Sequence, residues 1–122
     1  MSAPLPPGWP PQVRPPGTPD WERSATEWLL DLCPPDFRGY PVLRRHPKAL
    51  ARLTAHHVEG ARRACATALA SARTELSGDL DARTMTEVLD VLEREQARLL
   101  AAGRAVGLVD GALRGRKYIP RL

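Results

Sequence analysis

From about residue 81 the chain carries an apolar residue on a seven-residue beat. Met85, Leu92, Leu99, Val106 and Leu113 mark it, and Val88, Leu89 and Val109 supply parts of a neighbouring row. A heptad held over four repeats predicts a long helix with a coiled-coil-like seam, starting after Asp79 or Asp81 and ending at Leu113 or Arg114. Gly115 is its stop signal. Gly103, Gly107 and Gly111 weaken it locally, each by roughly 1 kcal/mol relative to Ala. Small residues at that spacing predict that another helix comes close.

A second helical pattern starts at Pro47 and meets no breaker before Ser77-Gly78. Its predicted inward face is Leu50, Leu53, His57, Ala61, Ala64 or Cys65, Ala68, Ala72 and Leu76. The joint at 77–81 is too short for anything but an antiparallel hairpin. Arms of about 30 residues make a rod of about 45–50 Å. Folding the hairpin about residue 79 sets Arg62 and Arg63 against Glu95 and Gln96, and His57 against Ala101 to Gly103.

Ahead of the hairpin, Thr18-Pro19-Asp20 reads as a helix start, with a capping hydroxyl, proline at the first helical position and an acid behind it. Trp21, Ala25, Trp28, Leu29 and Leu32 then form one apolar face. Pro34-Pro35 ends the helix, because a proline ring cannot continue the ladder and forces the preceding residue out of the α region. The expectation is an all-α fold with helices at about 18–33, 47–77 and 81–114. A first helix of about 15 residues spans some 23 Å and covers half of the rod. The uncovered half of the seam predicts a homodimer.

Residues 1–17 are different in kind. Twelve of the 13 prolines precede residue 48, so the front of the chain cannot be helical throughout. PPGWPPQVR at 6–14 repeats as PPGTPDWER at 15–23, and each Pro-Gly pair suits a type II turn with Gly8 or Gly17 at positive φ. Such a segment is either a ligand for a proline-recognising domain or an extended strap laid on the helices. Trp9 favours the strap, because a free solvent-facing Trp is unusual.

Composition excludes several classes. The 122 residues hold one domain, three helices over 18–114, between the proline-rich segment at 1–17 and a basic tail at 115–122. No 18-residue apolar run and no leader pattern is present, which predicts a cytoplasmic protein without a membrane contact. Cys33 and Cys65, the two cysteines, are then expected to be free thiols. Cys33 precedes proline at a helix C-terminus, where the dipole raises rather than lowers a thiol pKa. His56 and Glu59 share a helix face as metal ligands do, but the rest of a ligand set is missing, and His57 reads as a core-edge residue. With no phosphate loop, nucleophile elbow or carboxylate constellation either, neither a metal nor a cofactor is expected, and the protein is not read as an enzyme.

The charge pattern adds one candidate surface. The formal net charge is +4, and the hairpin brings residue 47 beside residues 111–114. Arg44, Arg45, His46, Lys48 and Arg52 would then meet Arg114, Arg116, Lys117, Tyr118 and Arg121 at one pole. Arg44 and Arg45 precede a helix N-terminus, where the dipole disfavours cations, so their placement is not explained by helix electrostatics. The acids of the first helix could fold back and neutralise this pole. The stretch LLDLCPPDFRGYPVLRRHP at 29–47 supplies both the corner and part of the pole. Leu29, Leu32, Phe37, Tyr40, Val42 and Leu43 read as corner packing.

The longer run LLDLCPPDFRGYPVLRRHPKALARL, residues 29–53, resembles a pattern in an uncharacterised family of small helical proteins from high-GC actinobacteria. That resemblance covers about a fifth of the chain and implies a helical fold with no activity attached. The expected function is a non-enzymatic scaffold or adaptor that self-associates and contacts a protein partner. The alternative is a nucleic-acid-associated protein that uses the basic pole, with Tyr40 or Tyr118 for stacking.

Overall fold

The computed structural model describes residues 4–120, and the chain is all-α there. Helix α1 is Trp21–Asp31, α2 is Pro41–Arg45, α3 is Pro47–Leu76 and α4 is Ala82–Leu113, with a 3-10 turn at Pro35–Gly39 between α1 and α2. The two long helices form the antiparallel hairpin and pack chiefly on each other, while α1 lies mainly on α3. At 1.5 Å per residue, α3 with its 30 residues is about 45 Å long and α4 with 32 about 48 Å.

The hairpin turn is closed by amides of Asp79 and Leu80 on the Leu76 carbonyl, at 2.9 and 3.0 Å. Asp81 caps α4, and its side chain accepts from the Thr84 amide at 2.7 Å. At the far end Gly115, at φ 85°, ends α4 in the left-handed conformation. Its amide reaches the Ala112 carbonyl, and the Arg116 amide reaches that of Gly111 at 2.9 Å. That is a Schellman closure, and it lays Arg116 back over the last turn.

The heptad row lies on the seam. Met85, Leu99, Val106 and Leu113 are buried and Leu92 is partly so. The inward face of α3 is rotated from the expected one. Leu50, Ala51, Thr54, Val58, Cys65 and Ala72 are buried, whereas Leu53 is 44% exposed and His57 is also exposed. Val58, not His57, faces Gly103: a Cβ added at Gly103 would lie 3.9 Å from Val58 Cγ1. The rotation is affordable because Thr54 hides its hydroxyl, which donates to the Leu50 carbonyl at 2.8 Å.

Helix α1 starts three residues later than expected and ends two earlier. Thr18 does not cap it; its hydroxyl closes the preceding turn on the Pro15 carbonyl at 2.6 Å, and Asp20 takes φ 65° with no side-chain capping bond. Ala25, Thr26, Leu29 and Leu30 are buried, while Trp21, Trp28 and Leu32 flank them half-buried. The strap covers one flank. Val13 is buried in the core, the Trp9 indole N–H donates to the Val13 carbonyl at 2.9 Å, and Gly8 and Gly17 both take positive φ.

The corner is built from prolines six residues apart. Pro35, Pro41 and Pro47 each stand at the start of a helical element, where a missing N–H is harmless. Leu43 is buried and Phe37 packs on the core, but Tyr40 and Val42 are 51% and 49% exposed, so those two are not corner packing. Arg38 holds the corner against α1 through Glu27, at 2.9 Å, and Asp31.

The contiguous core cluster lies toward the open end of the rod, while Ala72 and Met85 are buried between the two arms beyond it. The cluster runs from Val13 through α1, Leu43 and the first half of α3 to Cys65, then resumes at Leu99. The final residues of α1 meet α3 at Thr54, where Cys33 Sγ lies 3.1 Å from the Thr54 hydroxyl oxygen. That hydroxyl already donates to Leu50, so the thiol is the donor. Beyond Cys65 the rod is two helices thick. Leu69, Leu76, Val88 and Leu89 are only half-buried there, and Val91 is 63% exposed.

Candidate functional site

The open end of the hairpin gathers the expected basic residues and then divides them. Asp110, on the last turn of α4, accepts from Arg114 Nε at 3.0 Å and pairs with Arg52 at 3.6 Å. Arg114 also donates to the Lys48 carbonyl at 3.4 Å, which ties the end of α4 to the start of α3. Arg44 reaches back to Glu27 on α1. The Arg44 guanidinium, and then that of Arg38, holds the Glu27 carboxyl below its ordinary range.

Three of the expected cations are thus spent inside the molecule. Arg45, His46, Lys48, Arg116 and Lys117 are left without an ion pair among the described residues. Of these, Arg45, His46 and Lys48 are exposed around the α2–α3 junction. Arg116, Lys117 and Tyr118 lie on the extended tail, and Arg121 falls outside the described residues. The cations without an ion pair thus fall in two stretches of chain, one at the α2–α3 junction and one on the tail.

Sequence reasoning missed a feature that the tail group borders. The strap crosses α4 at its last turns and leaves a trough of about 620 Å³ between strap, helix and tail. One wall is Pro4, Leu5, Pro6, Trp9, Pro16 and Gly17; the floor is Gly107, Leu108, Gly111 and Ala112; the other wall is Gly115 to Tyr118. Gly8 takes φ 90° where the strap passes Leu108, and a Cβ there would make only ordinary contact, 3.7 Å from Leu108 Cδ1. Gly111 admits the tail, with Arg116 Cδ 3.4 Å from the position of an added Cβ. Of the α4 glycines, Gly111 thus serves the tail and Gly103 faces the hairpin partner, while an added Cβ at Gly107 would meet nothing within 4 Å. The sequence signal was the coincidence of glycines at 107, 111 and 115 with a Pro-Gly strap.

The residues weighed for metal or thiol chemistry are placed differently. Both His56 and His57 are exposed, and Glu59 chelates Arg62, at 2.7 and 2.8 Å, and Arg63 at 3.1 Å. Arg62 chiefly, with Arg63, pulls the Glu59 carboxyl down to about 2. Arg62 and Arg63 therefore do not meet Glu95, which binds Arg98 instead. Cys33 and Cys65 are buried free thiols, and burial pushes Cys33 up in pKa. No helix among the described residues is long and apolar enough to cross a membrane.

These features define an all-α hairpin protein with a capped core at one end and an uncapped arm at the other. Comparison with protein-family models, curated proteins and solved structures finds no match.

Proposed function

We propose that the protein is a non-enzymatic helical scaffold that self-associates through the distal arm of its hairpin. The uncovered arm carries this reading. Past Cys65 and Leu99 no third element among the described residues joins the core, yet apolar side chains continue, buried at Ala72 and Met85, half-buried at Leu69, Leu76, Val88 and Leu89 and 63% exposed at Val91. A helix pair with apolar residues on an open face gains most from a second pair, which completes a four-helix bundle. A second copy offers the same face, so a two-fold dimer is self-complementary there. Dimerisation would leave the strap, trough and basic residues free at the outer ends, where a protein partner is engaged.

Sedimentation equilibrium across the micromolar range tests this. The wild-type protein is expected to pass from monomer to dimer as its concentration rises. Val91→Glu places a charge where the monomer exposes the side chain, so it should abolish the dimer and leave helicity by circular dichroism unchanged. A wild-type monomer throughout the range, or a dimer indifferent to Val91→Glu, overturns the reading.

A further inference from the structure

The trough beside the strap has one polar end and an otherwise apolar lining. Arg116 and Lys117 stand together on its tail wall, none of its lining residues is acidic, and neither cation has an ion pair among the described residues. Opposite them the wall is Trp9 and Leu5, and Leu5 and Tyr118 are 39% and 41% exposed. The floor at Gly107 is bare: an added Cβ would meet nothing within 4 Å. The prolines of the strap wall carry no N–H and the Trp9 indole N–H is taken by Val13, so side-chain polar recognition falls to the two cations and the Tyr118 hydroxyl.

We propose that this trough binds a small carboxylate with an apolar body. The body lies on the Gly107 floor against Trp9, and the carboxylate meets Arg116 and Lys117. Charge complementarity selects an anion, since among the described residues the site offers two cations without an ion pair and no acid. The lining selects a single anionic end, not a chain of them, because no further cation among the described residues borders the trough. Its volume of about 620 Å³ lies in the range of small-ligand sites. A nucleic-acid strand would need a longer track of cations, and Arg44, Arg52 and Arg114 are already held by Glu27 and Asp110.

Calorimetric titration with decanoate and with decyltrimethylammonium, each below its micellar concentration, tests the assignment on the full chain. Decanoate is expected to bind saturably at one per protomer, and the cation of equal chain length is not. Arg116→Gln with Lys117→Gln should weaken decanoate roughly tenfold or more, the loss of two charge-assisted contacts. Gly107→Leu should abolish binding by filling the floor. It should not unfold the helix, because its side chain enters open space and leucine is the better helix former.

Equal binding of the two chains, no saturable binding of decanoate, or binding that survives Gly107→Leu overturns the proposal. The site is remote from the distal arm, so Val91→Glu should bind decanoate as the wild type does, whether or not it dimerises. Loss of decanoate binding in that variant would mean that the site depends on the dimer and is not the trough described.

Discussion

The thiol of Cys65 donates to the backbone carbonyl of Leu92, 3.2 Å away across the hairpin. Leu92 belongs to the heptad row, and Cys65 is the last core residue on α3 before the distal arm. The bond therefore marks the place where a layered core gives way to a bare helix pair. It also fixes the register there, close to the one obtained by folding the chain about residue 79.

Cys65→Ala removes both the bond and a buried sulfur, and no third helix among the described residues lies beyond it to collapse onto the gap. The expected loss is about 1–2 kcal/mol, within the usual range for a small core truncation and a neutral hydrogen bond. Urea unfolding of the wild type and the variant at one protein concentration measures it. An unchanged midpoint would show that the hairpin is not held at this point.

Glu59 provides a pH-dependent prediction with a definite sign. Its carboxyl in the folded protein titrates at about 2 rather than at 4.5, with Arg62 the first cause and Arg63 a lesser one. Whatever stability this contributes is fully present above the unfolded value and is lost as pH falls through the folded one. The group is open to solvent, so the titration itself is the better readout than stability. Carbon-detected NMR should place the Glu59 midpoint near about 2, and Arg62→Gln should raise it further than Arg63→Gln does. Equal shifts from the two variants would contradict the chelate geometry.

The hairpin was legible in the sequence because its signals are local. The heptad row, the Pro47 start, the Asp81 cap and the Gly115 stop each act within a turn or two, and each stands where the pattern placed it. The face of α3 was not legible. Leu53 and His57 looked inward beside Ala51, Thr54 and Val58 because size and apolarity favour Leu53. The choice is made instead by α1 packing on α3 and by Thr54 masking its own hydroxyl.

The candidate site shows the same division. Counting charges located the open end but could not see that Asp110 lies between Arg52 and Arg114, or that Glu27 reaches both Arg38 and Arg44. Those pairings join residues from separate elements. The trough was invisible for a similar reason, since it exists only where the strap, α4 and the tail meet.

Gln96 interrupts the apolar row of α4 and leaves a mark in the structure. Its side-chain oxygen is buried without a hydrogen-bond partner. A desolvated amide oxygen with nothing to accept costs about 1–3 kcal/mol, whereas an apolar group of similar shape carries no such cost. Gln96→Leu should therefore stabilise the fold by about 1 kcal/mol, despite the small change of volume. Leucine there also lengthens the apolar face, so urea unfolding must be run at a concentration where the wild type is monomeric, which separates folding from association. A midpoint raised at that concentration supports the assignment of an orphaned oxygen. A lowered midpoint would mean that the amide is bonded in solution and that Gln96 holds the two arms together where Cys65 and Leu92 do.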